Sequence, residues 1–103
     1  MKPRKKLTPE SQLKRAVKDF LDLYRIWTFP VMQNVGSHPG VADRLGIYKG
    51  KPLALELKRP GGRLSPSQEV FKTEWEREGG IYIECRSIED LAAGLGIKTL
   101  MGI

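Results

Sequence analysis

The chain has one cysteine and one histidine in 103 residues. Cys85 alone makes no internal disulfide and no zinc cluster, which fits a reducing compartment such as the cytoplasm. Any metal must therefore be held by oxygen. Long apolar runs are also missing: no segment approaches the eighteen or so residues that would span a bilayer. The N-terminus, "MKPRKKLTPE", is basic with no apolar stretch behind it, unlike a signal peptide. Aromatics are 8% of the chain, and an expected lack of surface aromatics at strand spacing disfavours a ribosome- or RNA-associated protein. The length suits one domain with one modest core.

What is abundant is positive charge. Eighteen Lys and Arg against twelve Asp and Glu give a net charge of +6 and a pI near 9.7. The cations gather in "KPRKK" and around Lys49 to Arg63, while the acids fall mainly on expected helices, a pattern that favours phosphate-backbone partners over a merely basic surface.

Thr8 before Pro9 reads as an N-cap, and Leu13, Val17, Phe20, Leu21 and Tyr24 recur on one helical face to about Arg25. Residues 27–34 and 41–48 read as strands around the loop "VGSHPG", in which His38 is a surface residue. A tight turn at Lys49-Gly50-Lys51 makes a hairpin with "PLALELK". Ser65-Pro66-Ser67-Gln68 is a capping box, opening a helix that stops at Gly79-Gly80. "IYIECR" is a buried strand, and Ser87 caps a short helix to about Leu95. Trp27, Trp75 and Cys85 are assigned to the core. The order α-β-β-β-α-β-α implies an α/β domain, a mixed sheet flanked by helices, over residues 8–96. A basic arm (1–7) precedes it and a tail (97–103) follows.

Alternation puts Leu53, Leu55 and Leu57 on one strand face and Ala54, Glu56 and Lys58 on the other. Asp43 shares a face with Val41, Leu45 and Ile47, with Arg44 opposite, and the hairpin can bring its carboxylate beside Glu56. Two carboxylates with an adjacent ammonium suit a hard divalent cation and an activated water. The same E-x-K spacing also describes a solvated pair on a polar strand face.

In order along the chain, "ESQLKRAVKDFL", "GVADRLGIYKGKPLALELKRPGGRLSPSQ" and "GGIYIE" resemble the VRR-NUC (virus-type replication-repair nuclease) family of restriction-endonuclease-like nucleases. The likeness covers about residues 10–84, with Ala42 where the family carries proline. It implies Asp43 and Glu56 as metal ligands for Mg²⁺ or Mn²⁺, with the Leu57 carbonyl and Glu10 completing the set. Lys58 would be the catalytic lysine and Gln68 a supporting residue. Glu10 also sits where a helix dipole favours a carboxylate, and Gln68 where a capping box needs it.

The resulting expectation is a metal-dependent DNA endonuclease acting on branched or four-way-junction DNA. A DNA-binding module without turnover is the alternative. Lys2, Arg4, Lys5, Lys6, Lys49, Lys51, Arg59 and Arg63 are the expected DNA contacts. A homodimer is expected to form through Ile97, Leu100, Met101 and Ile103.

Overall fold

The computed structural model describes residues 8–34 and 37–98. These form α1 (Pro9–Leu23), β1 (Trp27–Pro30), β2 (Arg44–Tyr48), β3 (Lys51–Leu57), α2 (Pro66–Arg77), β4 (Ile81–Cys85) and α3 (Ile88–Leu95). The expected α/β class and element order are those observed. The sheet runs β1-β2-β3-β4, antiparallel except for the parallel β3–β4 pair that α2 connects.

Local chemistry sets the boundaries. Thr8, Ser65 and Ser87 each accept a backbone N–H as N-caps, and Ser65 with Gln68 completes the capping box. The β2–β3 turn holds Lys49 and Gly50 at φ 50° and 79°, the two positive values that a two-residue type I′ hairpin needs. Arg25, at φ 54°, lies just past the end of α1.

The two sheet faces are buried differently. On one, Leu53, Leu55, Ile83 and Cys85 pack with Val17, Phe20 and Leu21 of α1 and Leu91, Ala92 and Leu95 of α3. On the other, Ala54 and Tyr82 pack with Val41, Ala42 and Phe71 of α2. β3 is thus covered on both sides, and every side chain from Leu53 to Glu56 is buried. Ile97 packs against the first core, so the start of the tail turns back onto its own domain. Leu100, Met101, Ile103 and the whole basic arm, with Lys2, Arg4, Lys5 and Lys6, lie outside the described residues.

Three expectations change. The first strand ends at Pro30, not residue 34, and the second starts at Arg44, not residue 41. One further ladder-like bond, Val31 N–H to the Asp43 carbonyl, continues the pairing beyond Pro30, which lacks a donor. Trp27 is not core: it is 64% exposed, its ring tilted beside that of the exposed Phe29 at 5.5 Å, so surface aromatics do occur at strand spacing on β1. Its register partner Ile47 is exposed too, because α2 packs on β4 and leaves this side of β1 bare. Trp75 is half-buried and donates from Nε1 to the Ile81 carbonyl.

Gly40 ties the loop before β2 to α2. Its φ is 71°, and a Cβ there would overlap the Ser67 carbonyl and the Gln68 amide, so the loop touches the first turn of α2. Gly40→Ala should cost on the order of 2 kcal/mol or more, combining backbone strain with a clash that no side-chain rotation relieves. Denaturant melts check this, and a variant as stable as the parent would show that the close approach is absent.

Candidate active site

The hairpin register pairs Arg44 with Leu55, so the next step along the ladder sets Asp43 opposite Glu56. Paired residues share a face, which turns both carboxylates toward the α2 side and Arg44 away from it. Arg44 instead donates from Nε to the Thr28 hydroxyl. The expected convergence of Asp43 and Glu56 is therefore present.

Glu56 is 3% exposed. Its Oε1 is buried and has no hydrogen-bond partner among the described residues. Its Oε2 lies 3.5 Å from Gln68 Nε2 and 3.9 Å from Lys58 Nζ. Burial first, then the Asp43 carboxylate, push its pKa up to about 8, with Lys58 pulling the other way. As an acceptor, Asp43 also favours the protonated form of its neighbour.

Asp43 is held by backbone and side chain. Its Oδ2 accepts the Leu57 N–H at 2.7 Å, and its Oδ1 accepts from Gln33 Nε2 at 3.3 Å. Gln33 also donates to the Val41 carbonyl. Leu57 thus meets Asp43 through its N–H, so the backbone of β3 positions one carboxylate while its side chain at 56 supplies the other.

Lys58 donates to Gln68 Oε1 at 2.9 Å, and the same oxygen accepts the Ser65 N–H at 2.9 Å. The capping and site readings of Gln68 are thus not rivals. One side chain closes the helix cap and connects Lys58 to Glu56.

Other expected residues are dispersed. Glu10 is exposed, and its Oε2 lies 3.9 Å from Arg59 Nη2. Among the described residues, no group of three or more His, Cys, Asp and Glu side chains is placed to hold an ion, so the structure does not bring Glu10 to the pair. Arg59 directly follows Lys58 and forms the rim, with Arg63 exposed in the loop to α2. Lys49 and Lys51 sit at the far end of the hairpin, about 15 Å along the strands from Asp43, and are not part of this rim. His38 is exposed and packs edge-on against Phe71.

Three neighbours escaped the sequence reading. Gln33 carries no local signal. Glu84 pairs with Glu56 across β3–β4 and is held by Lys72 at 2.9 Å and Arg86 at 3.0 Å. Its pKa is lowered, chiefly by the Lys72 hydrogen bond. The Tyr82 hydroxyl is buried without a partner among the described residues, and its pKa is raised by burial and then by the Glu56 charge. Alternation in "IYIECR" does place Tyr82, Glu84 and Arg86 together on that face. Cys85 is fully buried and its thiol is pushed up to about 12, which makes it inert as a nucleophile.

Comparison of the chain with family models, curated proteins and solved structures found no match. No helix among the described residues is long and apolar enough to cross a membrane.

Asp43 and Glu56 supply two carboxylates, short of a full ligand cluster among the described residues. Mg²⁺ binds through one or two carboxylates and keeps several waters, and ionised Glu56 Oε1 has no donor among the described residues. In metal-free buffer, Glu56 should make stability fall with rising pH. Its folded pKa lies above the usual 4.5, so between about pH 4.5 and 8 the native chain holds a proton that the unfolded chain has released. This stabilisation is full below 4.5 and is lost as pH rises through 8. The expected slope is roughly 1.4 kcal/mol per pH unit within that window. Glu56→Gln should remove that slope. Denaturant melts in chelator from pH 5 to 9 check it, and parallel profiles for parent and variant would count against the buried pair.

Proposed function

We propose that the chain is a metal-dependent deoxyribonuclease of the VRR-NUC type, hydrolysing phosphodiester bonds with Mg²⁺ or Mn²⁺. The observation that carries this reading is the buried Glu56 oxygen without a donor beside Asp43, with a lysine held at their edge. An ordinary solvated E-x-K pair would not be 3% exposed on the carboxylate side.

In this reading Asp43 and Glu56 hold the ion. When bound, it supplies Lewis acidity toward the phosphoryl oxygen and lowers the pKa of the attacking water. Lys58, fixed by Gln68, places its ammonium where negative charge builds on the phosphate. The water oxygen forms the new bond to phosphorus, the bridging P–O bond breaks, and the departing oxygen takes up a proton. Arg59 and Arg63 on the rim offer phosphate contacts, and the arm of residues 1–7 adds four cations.

Action on branched DNA by a homodimer belongs to the same proposal, through the family resemblance. Ile97 packs into its own domain, and the exposed Trp27, Phe29 and Ile47 offer an apolar contact for a second copy.

Asp43→Asn and Glu56→Gln should each abolish Mg²⁺-dependent cleavage without unfolding the chain, since each keeps shape and removes one charge. Lys58→Ala should lower the rate by about a hundredfold or more while DNA binding persists. Labelled duplex, single-stranded, flap and four-way-junction DNA, each with Mg²⁺ and with chelator, check this. Cleavage by either acid variant at the parental rate, or cleavage that survives chelation, would overturn the reading.

A further inference from the structure

A groove of about 530 Å³ runs between α1 and the chain leaving β1, and it is not one of the surfaces expected from sequence. Lys14, Arg15, Lys18 and Arg44 line it, against one carboxylate, Asp43. Helical spacing explains the cluster. Leu13, Val17, Phe20 and Tyr24 face the first core, and Lys14 and Lys18 repeat at i and i+4 along one flank of that stripe. Lys18 is neutralised in part by Asp22 at 3.0 Å. Lys14 and Arg15 have no carboxylate partner among the described residues.

The other wall is apolar, made of Pro30, Val31 and Met32, with Met32 75% exposed. One wall of cations and one of apolar atoms matches a polymer with a charged backbone on one side and flat, weakly polar faces on the other. At its inner end the groove reaches Asp43 and Leu57, the two residues joined by the 2.7 Å hydrogen bond at the carboxylate pair.

We infer that this groove takes a single strand of DNA, its phosphates on Lys14, Arg15 and Arg44 and its bases against Pro30 to Met32, leading it to Asp43 and Glu56. The inference rests on the nuclease reading for its direction, but the binding stands separately. Its volume is that of a small-ligand pocket, too small to enclose a duplex. An unpaired strand, as at a branch or a flap, fits it, with affinity from phosphate contacts and weak preference among bases.

The test is fluorescence anisotropy of a labelled single strand, and of a duplex of the same sequence, in chelator over a range of salt. Lys14→Glu/Arg15→Glu should weaken single-strand binding tenfold or more. With two phosphate contacts gone, the salt slope should flatten by about 1.4. Lys14→Arg/Arg15→Lys should bind as the parent does, and thermal melts confirm that all three chains fold. Unchanged single-strand affinity in the charge-reversed variant would overturn the inference, as would an equal loss for duplex. Cleavage by the parent with Mg²⁺ is scored apart. A chain that binds the strand through these cations but never cuts keeps the groove and removes the nuclease. A chain that cuts, with the variant's strand affinity unaltered, does the reverse.

Discussion

A carboxylate in the central strand of the sheet, walled in on both faces and set against a second carboxylate, is a costly thing to fold around. Glu56 is that group. Desolvation alone disfavours its charge, and Asp43 adds repulsion that Lys58 offsets only in part. The surrounding contacts hold it in place. The β2–β3 register fixes Asp43 opposite it, the Leu57 N–H pins that carboxylate, and Gln68 carries Lys58 to the same edge. In the proposed reading a small, hard cation would relieve this cost, because a bound positive charge favours the ionised carboxylates that burial and repulsion disfavour.

The site also explains why a helix cap and a strand end meet. Gln68 is the N3 residue of α2, and its carbonyl oxygen satisfies both the Ser65 N–H and Lys58. Gly40 lets the loop carrying Asp43 approach that same turn. Changes in the α2 cap should therefore reach Lys58 even though Ser65 touches neither carboxylate. Glu84, opposite Glu56 on the other neighbouring strand, is already neutralised by Lys72 and Arg86 and adds least to raising the Glu56 pKa.

Much of this was legible in the chain because it depends on short-range rules. Caps at Thr8, Ser65 and Ser87, the Lys49-Gly50 turn and period-two alternation in 53–58 are local, and they were enough to put Asp43 and Glu56 on one face. What was not legible depends on which elements cover which. Trp27 read as core from its side chain, yet α2 lies over β4 and leaves β1 bare. Lys49 and Lys51 are near Lys58 in sequence but are carried to the far end of the hairpin, whereas Lys14 and Arg15, some thirty residues before Asp43, share a groove with it. Gln33 reaches Asp43 from an irregular loop, where no periodicity marks it.

In the proposed reading Glu56, its pKa raised by burial and by Asp43, holds a proton near neutral pH in the free chain and would give it up to a divalent cation. Calorimetric titration of Mg²⁺ or Mn²⁺ at pH 7, repeated in buffers of different ionisation enthalpy, reads the protons released per ion bound. We predict saturable binding with release of about one proton, given a Glu56 pKa of about 8, and loss of both in Glu56→Gln. Binding without proton release, or no binding to the parent chain, would contradict it.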